Sequence, residues 1–247
     1  MITCRNLTKR YGDHIAVDAL NLDVPAGSIC CFLGPNGAGK STTVKMLTGL
    51  LKPTAGQAIV AGHDIAADSL AVKRAIGVLP ETLGLFGTLT VEEHLHLSGP
   101  IYGLTRAETH QRTDQLLRAL ALDDGRQTFI DHCSYGMRKK TALAMALLHN
   151  PKALFLDEPF EGIDPVTSKT LRELMLTLTS RGVTVFLTSH ILSIVERLAS
   201  QIVMIRDGRV VWNSRPDELP KSLEDVYFDL VETPIVEELP WLGSSPS

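Results

Sequence analysis

The chain has few cysteines, no long apolar run and no strong excess of charge of either sign. Its four cysteines, Cys4, Cys30, Cys31 and Cys133, have no zinc-ligand spacing, and no C-x-x-C pair occurs. Cys30 and Cys31 are neighbours inside an apolar run, which reads as buried thiols acting as small hydrophobes in a reducing cytosol. No window approaches the roughly 18–20 continuous apolar residues of a membrane helix. Met1–Arg5 lacks the charged-then-apolar pattern of a signal peptide. The chain is therefore expected to be soluble, with any membrane link made through a partner. The net charge of −4 argues against a duplex nucleic-acid binder, while leaving a local basic patch open. No internal repeat is evident. The 44% hydrophobic and 21% charged residues are those of an ordinary folded globule. At 247 residues the chain suffices for one large or two small domains.

Strand and helix signals alternate. Ser28–Leu33 is a short apolar run ending in glycine, as buried parallel strands do, and Ala153–Leu156 and Val183–Thr188 read the same way. Between the last two, after Pro165, Leu171, Leu174, Met175 and Leu178 fall at i, i+3, i+4, i+7 and make one apolar helical stripe. Strand, helix, strand at this spacing predicts a parallel sheet covered on both faces. Alternation around Ala16–Val24 and at Gln57–Val60 predicts further strands, and Asp207-Gly208 between Ile202–Ile205 and Arg209–Trp212 predicts a hairpin. From Thr90 to about Ala121 the chain reads as helices only, with Thr90 and Glu93 as a capping box. A helical insertion over about 82–135 is expected. Pro234, Pro240, Gly243 and Pro246 mark residues 231–247 as a loose tail.

Gly34-Pro35-Asn36-Gly37-Ala38-Gly39-Lys40-Ser41-Thr42 fits G-x-x-x-x-G-K-[ST], after a buried strand and before a helix. Glycines let the backbone curl so that successive N–H groups face phosphate oxygens, and the following helix adds its positive end. Lys40 is expected to reach the β- and γ-phosphates and the Ser41 hydroxyl to bind Mg²⁺. The motif specifies a nucleotide triphosphatase and nothing narrower. Leu154–Pro159 is an apolar strand that delivers Asp157 and Glu158 at its carboxyl end, the edge where doubly wound sheets bind ligands. Side chains alternate along a strand, so the pair divides: Asp157 toward Mg²⁺, directly or through a water, and Glu158 toward the attacking water.

Four further segments narrow the reading. Tyr11 lies in Lys9–Gly12, Ser134-Tyr135-Gly136-Met137 opens an apolar helix, Gly162-Ile163-Asp164 follows the acidic pair, and Thr188-Ser189-His190 ends the last long strand. In this order and spacing the chain resembles ABC transporter ATP-binding subunits, over about residues 1–230. The resemblance implies an α/β P-loop sheet domain with an antiparallel β subdomain and an inserted helical subdomain, hydrolysing ATP with Mg²⁺. It implies that Tyr11 stacks on adenine, the alternative being a strand-surface tyrosine. Ser134 and Gly136 match the signature loop that contacts ATP on an opposite subunit, so a second ATP-binding subunit is implied. Asp164 matches the loop crossing that interface, and His190 the histidine at the γ-phosphate.

Two departures stand out. Tyr135 and Met137 replace the usual glycine and glutamine, and Glu81, in Leu79-Pro80-Glu81, replaces the usual glutamine that touches Mg²⁺. With Phe160–Asp164 and Ser222–Tyr227, these features are similar to the exporter branch whose ATPase and integral membrane permease subunits are separate chains. A peripheral position on the cytoplasmic face of a membrane follows from that resemblance. A soluble ABC ATPase without a transport role, or a nucleotide-gated module that hydrolyses poorly, is the rival reading; the presence of Glu158 and His190 speaks against the second. The apolar loop Thr82–Gly87, with Leu83, Leu85 and Phe86, is expected either to receive a cytoplasmic helix of the permease or to pack under the helical insertion.

Overall fold

A computed structural model describes residues 1–231. The tail expected over 231–247 lies, beyond Val231, outside the described residues. The chain begins with two long strands, β1 (Ile2–Tyr11) and β2 (His14–Val24), paired antiparallel. Their inward positions, Ile2, Cys4, Leu7, Val17, Leu20, Leu22 and Val24, are buried, with polar residues between most of them, as a sheet with one wet face requires. On its other side β1 pairs with β4 (Ala55–Val60), which pairs with β5 (His63–Asp64).

The second sheet is built from β3 (Ile29–Leu33), β6 (Ile76–Leu79), β7 (Ala153–Leu156), β8 (Thr184–Thr188), β9 (Gln201–Arg206) and β10 (Arg209–Ser214). Its order is β10-β9-β3-β8-β7-β6, and every pairing is parallel except β9 with β10. All residues of β3, β7 and β8 are buried, because both faces are covered. On one face Cys30, Phe32, Phe155, Phe186, Val203 and Ile205 pack against the antiparallel sheet, α1 (Lys40–Leu47) and α2 (Ser69–Ala75). On the other, Cys31, Leu33, Leu154, Leu156 and Leu187 pack against α5 (Tyr135–Leu147), α6 (Pro165–Ser180), α7 (Leu192–Leu198) and α8 (Leu223–Leu230). The adjacent cysteines Cys30 and Cys31 thus belong to opposite core layers. Burial raises both thiols well above their usual range.

Between β6 and α5 the chain forms α3 (Val91–Ile101) and α4 (Arg106–Ala119). Each opens with a complete capping box, Thr90 with Glu93 and Thr105 with Glu108. Arg126 ties the segment together by donating to Glu92 at 2.5 Å and Asp114 at 2.7 Å. The hairpin at Asp207-Gly208 forms as the dipeptide predicts, both residues having positive φ, 48° and 76°. Among the described residues no helix is long and apolar enough to cross a membrane.

Candidate nucleotide site

The loop from Gly34 to Gly39 leaves β3 at the carboxyl edge of the parallel sheet and enters α1 at Lys40. Two of its glycines are required by close approach. A Cβ on Gly39, at φ 104°, would lie 2.4 Å from the carbonyl oxygen of Ala16, and one on Gly34 would lie 2.3 Å from that of Ile205. The loop is therefore pressed between β2 and β9. The hairpin turn braces it from behind: the Gly208 N–H donates to the Ala38 carbonyl at 3.0 Å, and the Asp18 N–H donates to Gly208 at 2.9 Å. Tyr11, His14 and Ala16 join Pro35–Gly37 and Gly39–Thr42 around a cavity of about 330 Å³. Tyr11 is half exposed at the end of β1, with the Lys9 ammonium 5.2 Å above its ring.

The Lys40 ammonium donates to the carbonyls of Gly34 at 2.7 Å and Pro35 at 3.1 Å. Burial lowers its pKa, while the charges of Glu158, Asp157 and Glu81 act in the opposite direction. Those three carboxylates are thus the acidic neighbours of the loop lysine. Glu81 is exposed, two residues beyond β6.

Parallel register levels Leu156 with Leu187, so the next residues, Asp157 and Thr188, stand side by side. The buried Thr188 hydroxyl donates to Asp157 Oδ1 at 2.5 Å and accepts from the Glu158 N–H at 3.0 Å. The expected separation of the two carboxylates by strand alternation does not apply, because β7 ends at Leu156. A backbone turn separates them instead: Glu158 has φ 47°, left-handed for a residue with a Cβ, which costs about 1–2 kcal/mol. That turn brings Glu158 Oε2 to 3.0 Å from His190 Nδ1.

Ser134, Gly136 and Asp164 form a separate group. Ser134 caps α5, its Oγ accepting from the Met137 N–H at 3.2 Å. Asp164 caps α6, accepting from the Val166 and Thr167 N–H groups and from the Thr167 hydroxyl, which together hold its carboxyl below the usual range. A Cβ on Gly136 would lie 3.6 Å from Asp164 Oδ2, so the two helix starts abut. Among the described residues no hydrogen bond joins this group to Gly34–Thr42.

Two residues that sequence reasoning passed over belong to the site. Thr188 was visible only as part of a motif, and its neighbour is set by strand register. Lys139 is 2% exposed, and its ammonium donates to the carbonyls of Glu158 and Glu161, both at 2.7 Å. Burial lowers its pKa. Its only sequence signal is a cationic residue on the face of α5 that otherwise buries Ala142, Leu143 and Ala146.

The parallel sheet, the glycine loop on its carboxyl edge and the helix that follows define a P-loop nucleotide-binding domain. The family model described as ABC transporter matches residues 17–161. The bacitracin transport ATP-binding protein BcrA of Bacillus licheniformis is 37% identical over 90% of this chain and 72% of its own length. The daunorubicin/doxorubicin resistance ATP-binding protein DrrA of Streptomyces peucetius is 38% identical over 90% of this chain and 67% of its own. The chain spans only 38% of the probable multidrug ABC transporter ATP-binding protein YbhF of Escherichia coli, at 36% identity. A solved ATP-binding subunit of an ABC transporter superposes with TM-score 0.87 at 32% identity, covering 93% of this chain and 99% of that one. The dimeric structure of a bacterial ABC transporter cassette gives TM-score 0.81 at 26% identity, over 87% of this chain and 99% of that one. The chain belongs to the ABC transporter family, whose ATP-binding domain it forms, and its fold is the one expected from the sequence.

Proposed function

We propose that this chain binds and hydrolyses ATP to drive export through separate integral membrane permease subunits, working as a dimer of ATP-binding subunits on the cytoplasmic face of the membrane. Residues 1–230 act as one nucleotide-binding unit, with about 82–135 as its helical insertion. The observation that carries the reading is the convergence of Lys40, Asp157, Glu158, Thr188 and His190 on one sheet edge.

In this reading the Gly34–Thr42 backbone N–H groups and Lys40 hold the phosphates, and Tyr11 stacks on the adenine. Ser41, Asp157 and Glu81 offer a hydroxyl and two carboxylates, the all-oxygen donor set that suits Mg²⁺. Bound there, Mg²⁺ neutralises phosphate charge. Glu158 orients the attacking water and takes its proton, and His190, whose Nδ1 lies 3.0 Å from Glu158 Oε2, steadies that carboxylate beside the γ-phosphate. Ser134, Gly136 and Asp164, which among the described residues make no hydrogen bond to Gly34–Thr42, face the nucleotide of the second subunit; the dimeric relative supports this arrangement.

Export is supported by the relatives named for bacitracin transport and for daunorubicin resistance, and by an apolar groove of about 570 Å³. The groove lies between α2, the edge strand β6 and helices α3 and α5. Leu50, Leu70 and Ile101 line it while each more than half exposed. A helix of the permease is its proposed occupant, since such a surface costs free energy in water. Of the loop expected to form it, Leu83 contributes to the groove. Leu83 and Leu85 both pack against the core, and Phe86 instead stacks on His94.

The test is Glu158→Gln. ATP binding persists, and hydrolysis falls on the order of 10²–10⁴-fold, the usual contribution of a general base. The protein sediments as a dimer with Mg-ATP and as a monomer without nucleotide. Wild-type turnover in the purified variant refutes the assignment of Glu158.

A further inference from the structure

Lys139 is a buried cation that, among the described residues, has no carboxylate in hydrogen-bonding contact. An ammonium taken out of water needs its three protons engaged. Two of them reach the carbonyls of Glu158 and Glu161, and the Tyr135 ring stands 5.3 Å from the nitrogen. The Glu158 carbonyl also accepts from the Glu161 N–H at 3.3 Å, so the turn Glu158–Glu161 closes on itself and is held from outside by Lys139. The same turn contains the left-handed Glu158. Such a conformation persists only where its surroundings over-determine it. Thr188 fixes the N–H of Glu158, and Lys139 fixes its carbonyl.

Tyr135 completes the arrangement from one turn earlier in α5. Its ring covers Gly162, where a Cβ would lie 2.9 Å from the ring edge, so the aromatic seats directly on the loop that leads to Asp164. The departure from glycine at position 135 therefore has a physical role: the ring that displaces the usual glycine shields the Lys139 ammonium.

We propose that Lys139, shielded by Tyr135, is a positioning residue for Glu158, fixing the turn that aims its carboxylate and linking it mechanically to the Ser134–Gly136 loop. The proposal rests on the assignment of Glu158 as the base. Both hydrogen bonds of the buried Lys139 ammonium go to main-chain oxygens. It acts through two backbone carbonyls, and through α5 it ties the geometry of Glu158 to whatever occupies the helix start.

The experiment uses the full-length chain, measuring steady-state ATP turnover and, separately, affinity for a fluorescent ATP analogue. Lys139→Met keeps the stem and removes the donors. Turnover is expected to fall about 10- to 100-fold, the penalty for a small misplacement of a reacting group. Analogue affinity stays within about threefold, because the phosphate loop is untouched, and Lys139→Arg recovers most of the turnover. In the Glu158→Gln background Lys139→Met lowers residual turnover no further, since residues acting as one unit are not additive. Turnover by folded Lys139→Met within about twofold of wild type overturns the proposal, as does an equal further loss in the Glu158→Gln background. Should Lys139→Met not fold, Tyr135→Gly serves: it is expected to lower turnover with unchanged analogue affinity, and wild-type turnover in it overturns the proposal. Wild-type turnover in Glu158→Gln alone is a separate result, which removes the base assignment rather than the clamp.

Discussion

Replacing Thr188 with valine keeps the shape of a fully buried side chain and removes one oxygen. That oxygen serves two partners, donating to Asp157 Oδ1 and accepting from the Glu158 N–H. Each loses a partner that is itself wholly out of solvent, because Thr188 is 0% exposed. An orphaned buried polar group costs about 1–3 kcal/mol, and a charged one falls at the upper end. The added methyl returns about 0.8 kcal/mol of apolar burial. The net loss is about 1–5 kcal/mol, which for a domain of this size lowers the Tm by about 2–20 °C. Turnover falls as well, because the Glu158 turn loses its N–H anchor. Thermal denaturation followed by circular dichroism, beside steady-state hydrolysis, measures both quantities. Thr188→Ser separates the causes: it retains the hydroxyl and both hydrogen bonds and loses only a methyl, so its turnover stays close to wild type. A Thr188→Val protein with wild-type Tm and wild-type turnover refutes the bridging role.

The remaining predictions concern the two sides of the helical segment. Ile101→Asp places a charge in the apolar groove; the isolated subunit keeps its hydrolysis and loses co-purification with its permease, and retained co-purification moves the docking surface elsewhere. Arg126 holds Glu92 and Asp114 below the usual carboxylate range by direct hydrogen bonding. Their folded pKa values lie below the unfolded ones, so this stabilisation is present above about pH 4 and is lost as pH falls through the folded values. Glu92→Gln is accordingly less stable than wild type at neutral pH, and the Tm gap closes on acidification; a gap that widens in acid contradicts the ion-pair account.

Features written in contiguous residues were legible without coordinates. The Gly34–Thr42 loop lies between a buried strand and a helix, Thr90 and Glu93 cap α3, and Asp207-Gly208 turns a hairpin, each because local chemistry decides it. What required the fold was set by register and approach. Thr188 meets Asp157 only because β7 and β8 pair with Leu156 level with Leu187. Lys139 reads in sequence as one more cation after Arg138, and only the packing of α5 reveals that its ammonium ends on the Glu158 turn. Strand alternation predicts that the Asp157 and Glu158 side chains point apart, whereas a left-handed backbone at Glu158 is what separates them.

The position of β3 in the parallel sheet bears on how the nucleotide site comes into being. The phosphate loop is made before β8 and β9, yet the strand that carries it lies between them. Contacts at its root join Gly27 to Thr184 and Ile29 to Ser200 across 157 and 171 residues of chain. Closing loops of that length is slow, and the nascent chain exposes apolar strand residues until it happens. During synthesis the loop therefore waits without β8 and β9 beside it and without the Gly208 brace. ATP capture by arrested nascent chains is accordingly expected to begin only once the Asp207-Gly208 hairpin has emerged.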